Sequence, residues 1–129
     1  MIYLTSEIVV EMHDLLIAFS GGMSGGGQRG ANYEGVEAAV RAVENSYYND
    51  VFELAAAYAV YIVQGHVFAD GNKRTATAAM FVFLKENGES SKISDEKAAA
   101  MTIELQMRAR AGESTGDLIG WVAGQIQGR

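Results

Sequence analysis

Residues 66 to 76 read His-Val-Phe-Ala-Asp-Gly-Asn-Lys-Arg-Thr-Ala, a base, an acid, turn formers and two cations in one short segment. Together these residue types outline phosphate chemistry. His66 has an unperturbed pKa of about 6.5, so its imidazole can take a proton from an attacking hydroxyl near neutral pH. Asp70 offers hard carboxylate oxygens, the ligand type that Mg²⁺ prefers when it also holds nucleotide phosphates. Gly71 lets the backbone approach a ligand closely or adopt a positive φ, and Asn72 can donate an amide hydrogen bond to a phosphoryl oxygen. Lys73 and Arg74 add two charges where a transferred phosphoryl group develops its own. Phe68, flanked by polar groups, reads as an apolar anchor for the segment.

Such groups need rigid elements to hold them. The motif lies between two apolar, helix-like runs, Val51 to Gln64 and Thr75 to Leu84. It is therefore a loop feeding directly into a helix start, where free N–H groups and a partial positive charge favour anions. The whole chain reads as helical after a short extended start. The patterning predicts helices at about 6–20, 33–46, 50–64, 74–88, 95–111 and 115–127. That is an all-α, compact single-domain bundle of about six helices spanning residues 1–129, with the motif loop between the two central ones. Proline is absent, so glycine and capping residues punctuate. Asn87-Gly88 ends one helix by the left-handed route, Ser94 with Asp95 and Glu96 starts the next, and Ser114 or Thr115 caps the last. Alanine clusters at 55–57, 78–79 and 98–100 predict close helix–helix approach.

Other polar residues have simpler readings. Asp70-Gly71-Asn72 alone would be an ordinary turn, but a turn needs neither a histidine four residues before it nor Lys-Arg after it. His13 sits on one edge of an amphipathic run, Ile8, Val9, Met12, Leu15, Leu16 and Phe19, with no second ligand at i+4. It reads as structural or supporting. Glu53 suits a helix beginning through the dipole alone. The stretch Gly21 to Gly30 holds six glycines but lacks the Gly-Lys-Ser/Thr ending and the preceding strand of a phosphate loop. It is expected to be a flexible connection and the most mobile part of the chain.

Length and composition bound the function. With 129 residues and 49% hydrophobic content the chain can build a real core. No cysteine is present, which removes disulfides and thiolate metal sites and suits the cytosol. The start Met1-Ile2-Tyr3-Leu4-Thr5 has no basic leader, and no apolar run reaches the ~18 residues of a membrane span. A soluble, cytoplasmic protein is expected. The net charge of −6 disfavours direct binding to nucleic acid or an anionic membrane.

The motif resembles the signature of the Fic/Doc family, roughly His-x-Phe-x-Asp/Glu-Gly/Ala-Asn-Gly/Lys-Arg. Every fixed position is matched. Most adenylyltransferases of the family carry Gly where Lys73 stands, whereas the death-on-curing (Doc) branch carries Lys, so the chain looks like Doc. Met12-His13-Asp14, Gly21-Gly22, Asp50 to Leu54, and Phe83-Leu84 with Gly88 have Doc-like counterparts in similar order, over roughly residues 5 to 90. The resemblance implies a toxin of a bacterial toxin–antitoxin pair. Such a toxin is a protein kinase that uses ATP with Mg²⁺ to phosphorylate a threonine of elongation factor Tu and inhibit translation. It also implies that His66, Asp70, Lys73 and Arg74 are catalytic, that Gly71, Asn72, Lys73 and Arg74 hold the nucleotide phosphates, and that Asp70 meets Mg²⁺ through them. Glu53 has a counterpart in Doc-like sequences, which allows it a part in orienting the motif loop.

Two alternatives share the fold. A Fic-type adenylyltransferase would use the same His66, but Lys73 argues against it, as does the absence of arginine at 77 and 78, near where many AMP-transferring relatives carry a second one. Gly71 is the Fic-like choice where some Doc proteins have Ala. A non-catalytic interaction module is opposed by the intact motif. Many Fic enzymes are blocked by a helix carrying Ser/Thr-x-x-x-Glu-Gly/Asn, and no Ser or Thr of this chain has that spacing. Inhibition is then expected in trans, from an antitoxin whose disordered tail folds into an apolar groove.

Overall fold

The computed structural model describes residues 1–20, 33–65 and 72–128. Among them lie six α-helices and no strand: α1 (Ser6–Ser20), α2 (Tyr33–Glu44), α3 (Val51–Gly65), α4 (Asn72–Glu86), α5 (Asp95–Arg110) and α6 (Thr115–Gln127). The all-α expectation holds, and the predicted ends shift for local reasons. Asp50, expected inside a helix, caps α3 instead, its Oδ2 accepting from the N–H groups of Phe52 and Glu53 at 3.1 Å each. α2 closes two residues early, where the Ser46 N–H bonds to Val43 O at 3.2 Å in a tighter turn. α4 ends at Glu86 because Gly88 takes φ +79°. The N–H groups of Gly88 and Glu89 then bond back to Lys85 O and Leu84 O, closing a Schellman motif. Ser94 and Ser114 cap α5 and α6 through Lys97 N and Asp117 N, so Ser114 is the cap and Thr115 the first helical residue.

The centre of the bundle is α3. From Leu54 to Val60 every residue is buried, and Ile62 and Val63 follow. A helix apolar on all sides must be surrounded, and α3 packs on α2, α4, α5 and α6, most extensively on α4. Ala55, Ala56, Ala57 and Ala59, all fully buried, keep several faces of α3 low enough for close approach. Against α4 the gap is filled by Tyr58 and Phe83, whose ring centroids lie 5.2 Å apart. The Tyr58 hydroxyl accepts the Leu4 N–H at 2.9 Å, and burial pushes its pKa up to about 12. Asn87 completes the tie of the N-terminal segment by exchanging two hydrogen bonds with the backbone of Ile2.

α1 lies across α2 and α4, while α5 flanks α4 on another side. Lys73 pairs with Gln106, and Thr77 with Thr102. A four-residue advance on α4 thus meets a four-residue retreat on α5, and the two helices run antiparallel. Arg108 binds α5 to α6, its guanidinium 4.3 Å from the Trp121 ring centre and paired with Glu104 and Glu113.

Candidate active site

α4 carries the described part of the motif. Asn72, Lys73 and Arg74, expected at the end of a loop, form the first turn of this helix. Consecutive helical positions point about 100° apart, yet Lys73 and Arg74 both line one cleft of about 440 Å³ between α1, α4 and α5. Volumes of this order suit a small-molecule or nucleotide-sized ligand. Lys73 is half-buried and Arg74 exposed. From Lys73 to Phe81, both on the cleft wall, α4 rises about 12 Å. The floor between them is mostly apolar, with Ala78 and Phe81 from α4, Leu16 from α1, and Ala99 and Ile103 from α5. Asp95 closes the far end. The cleft is thus cationic where the motif enters, apolar in the middle and acidic at its other limit.

The α4–α5 wall is polar at successive turns. Lys73 Nζ donates to Gln106 Oε1 at 3.2 Å. One turn on, Thr77 Oγ1 donates to its own helix at Lys73 O (3.0 Å) and meets Thr102 Oγ1 at 3.4 Å. Thr102 in turn donates to Ala98 O and Ala99 O. Back-bonding of this kind satisfies each hydroxyl within its own helix, so the wall adds polarity without strong cross-links. Thr75 differs: it is fully buried, and its hydroxyl has no hydrogen-bond partner among the described residues.

Of the sequence-predicted residues, the structure brings Lys73 and Arg74 to one cleft and places Asn72 beside them on α4. His66, Asp70 and Gly71 lie outside the described residues, as do Phe68 and the glycine-rich stretch. The flanks of the motif are described: Gly65 ends α3 and Asn72 begins α4. His13 is 1% exposed, its Nδ1 3.3 Å from Asp14 Oδ1, and is more deeply buried than an edge position implies. Glu53 sits in the first turn of α3, about 18 Å of helix from Gly65. Its electrostatic influence there falls on Tyr48, whose pKa is raised by burial first, then by Tyr61 and Glu53. That places it at the opposite end of α3 from the motif.

Among the described residues no group of three or more His, Cys, Asp or Glu could hold a metal. Mg²⁺ on a nucleotide needs no such cage, since one or two carboxylates plus phosphates and water complete its shell. The two cations beside the cleft, Lys73 and Arg74, favour anionic groups such as phosphate. The residues the sequence did not single out are Thr102 and Ile103 on the cleft wall and Gln106, the partner of Lys73 beside it. They belong to helices whose apolar patterning reports burial but not which neighbour each face meets.

This geometry, a motif-bearing helix start at the mouth of a helical cleft, agrees with sequence comparison. The Fic/DOC family model matches residues 3–84, and the chain belongs to that family. Over 114 residues it is 33% identical to protein kinase doc of Escherichia phage P1, an alignment that covers 84% of this chain and 90% of that protein. The family match stops at Leu84, before α5 supplies the second wall of the cleft. No helix among the described residues is long and apolar enough to cross a membrane.

Proposed function

We propose that residues 1–129 act as one Fic/Doc-type domain, a protein kinase that moves the γ-phosphate of ATP onto a threonine of elongation factor Tu. In this reading the chain is the toxin of a toxin–antitoxin pair in the bacterial cytoplasm and inhibits translation. The observation that carries it is Lys73: a lysine, not a glycine, follows Asn72, and its ammonium group stands at the cationic end of the cleft. A bulky cation there both fills volume and presents a point charge for phosphate. The relative named protein kinase doc supports the reaction class.

His66 takes the proton of the target hydroxyl as its oxygen forms a bond to the γ-phosphorus, and the bond from that phosphorus to the β–γ bridging oxygen breaks, releasing ADP. Lys73 and Arg74 stabilise the charge that spreads over the phosphoryl oxygens, with Gly71 and Asn72 bringing backbone and amide donors to the phosphates. Asp70 would hold Mg²⁺ together with the nucleotide phosphates, and that ion would supply charge neutralisation. Catalysis then rests on positioning and electrostatics.

Control in trans suits the surface beside the site. Ile103 and Met107, one turn apart on α5, are 51% and 63% exposed, and Ile103 also lines the cleft. An antitoxin segment that folds as an amphipathic helix would cover such a strip with apolar residues at matching spacing.

The test is to incubate the protein with elongation factor Tu, ATP and Mg²⁺ and to weigh the intact target. A gain of one phosphate, about 80 Da, is expected for γ-phosphoryl transfer, whereas an AMP-sized gain would overturn the kinase reading in favour of adenylylation. His66→Ala is expected to abolish transfer with an unchanged circular dichroism spectrum. Full activity in that variant would sink the mechanism.

A further inference from the structure

The geometry points to Gln106 as a positioning residue for Lys73, holding the ammonium group at the phosphate end of the cleft while leaving its charge intact. The inference rests on the reading of Lys73 as a phosphate-binding cation.

A lysine side chain has four rotatable carbon–carbon torsions and about 2 kcal/mol of rotamer entropy, so a helical backbone alone does not fix where its charge sits. Gln106 Oε1 accepts one of its three N–H bonds at 3.2 Å across the α4–α5 seam, leaving two for a phosphoryl oxygen. The acceptor's chemistry matters as much as its position. A carboxylate at 106 would pair with the ammonium group and compete with phosphate for it, whereas an amide is neutral and leaves the charge available. The acid nearest along the helix, Glu104, is held by Arg108, with Glu104 Oε2 2.6 Å from Nη2 and 2.8 Å from Nε. Lys73 therefore faces a neutral partner on a helix that also carries acids. Thr102 lies one turn before Gln106 on the same seam and meets Thr77, so the register that brings Gln106 to Lys73 is shared by two adjacent turns.

Two measurements test this. The first needs no nucleotide: in protein labelled with ¹⁵N at lysine Nζ, NMR relaxation of the Lys73 ammonium group is compared between wild type and Gln106→Ala. Faster motion in the variant is expected. Unchanged motion would overturn the inference while leaving the kinase reading untouched. The second is a double-mutant cycle on kcat/KM for phosphoryl transfer from ATP. Gln106→Ala alone is expected to lower it about 3- to 10-fold, the size of a typical net hydrogen bond. The same change in a Lys73→Ala background should have no further effect. Equal losses in both backgrounds would show that Gln106 acts through the fold and not through Lys73. Gln106→Glu, which keeps the size and adds a charge, is expected to raise the KM for ATP, and an unchanged KM would remove the argument for a neutral acceptor. A wild-type protein that transfers nothing would overturn the kinase reading and the catalytic part of this inference together, leaving the ammonium motion to report only a structural contact.

Discussion

α4 has two seams, and they are built from opposite materials. Toward the core it presents Thr75, Ala76, Ala79, Met80, Phe83 and Leu84, all buried, against the alanine-rich and aromatic surface of α3. Toward the cleft it presents Lys73, Arg74, Thr77, Ala78 and Phe81, and there its cross-helix partners on α5 are Gln106 and Thr102. The first seam is dry and close-packed, so its strength scales with the area buried. The second is polar and partly wet, and its hydrogen bonds contribute little net stability. One helix thus separates the packed core from the proposed site, and substitutions on its two sides should be read by different assays.

The largest stability effect is expected on the dry seam. Phe83 is fully buried, its ring tilted against those of Tyr58 and Tyr3. Phe83→Ala should destabilise by about 3–5 kcal/mol through lost transfer energy and a residual cavity. Chemical denaturation would measure this, and transfer activity per folded molecule should survive at temperatures where the variant remains folded. A loss under 1 kcal/mol would mean that the α3–α4 seam does not hold the bundle together.

The contrast also separates what could be read in the sequence. The dry seam was legible because α3 is hydrophobic over a whole helix and α4 repeats apolar residues at helical spacing, signals that need no knowledge of partners. The caps were legible for the same local reason: Asn87-Gly88 and Ser94 act within a few residues of themselves. The motif was legible as a family signature because His66 to Arg74 is contiguous, and of its residues Asn72, Lys73 and Arg74 fall among the described ones. The wet seam was not. Gln106 lies 33 residues from Lys73, and nothing in the local spacing of a polar residue on an amphipathic helix says which helix it will face. His13 reads as structural from its periodicity, and the structure buries it more deeply than an edge position implies, because tertiary packing and not local spacing decides which helix edges are covered.

On the wet seam the expected effect is chemical. Lys73→Gly should lower phosphoryl transfer to elongation factor Tu by about 100- to 1,000-fold, the range for removing one charge-stabilising donor. The thermal midpoint should move little, because glycine in a first turn costs only a fraction of its price in a helix interior. Intact-mass analysis of the target would also reveal any AMP transfer uncovered by the vacated volume. Unchanged phosphorylation would show that Lys73 does not determine the reaction.

The smallest effect makes the sharpest distinction, since it compares two threonines two residues apart on the same helix. Thr77 faces the cleft and uses its hydroxyl on Lys73 O, whereas Thr75 faces inward and its hydroxyl is buried with no partner among the described residues. A buried, unsatisfied hydroxyl is a standing cost of about 1–3 kcal/mol, and replacing it by an apolar group of the same shape loses no bond. Thr75→Val, nearly isosteric, is therefore expected to leave stability unchanged or raise it by up to about 1 kcal/mol, while Thr77→Val should lower it slightly. Denaturation midpoints of the two variants would decide the matter. If Thr75→Val were instead the more damaging, its hydroxyl would have to bond to a group from the adjoining motif segment, and the inner seam would not be dry at its motif end. The division between a structural and a chemical side of α4 would then begin only after Thr75, one turn into the helix.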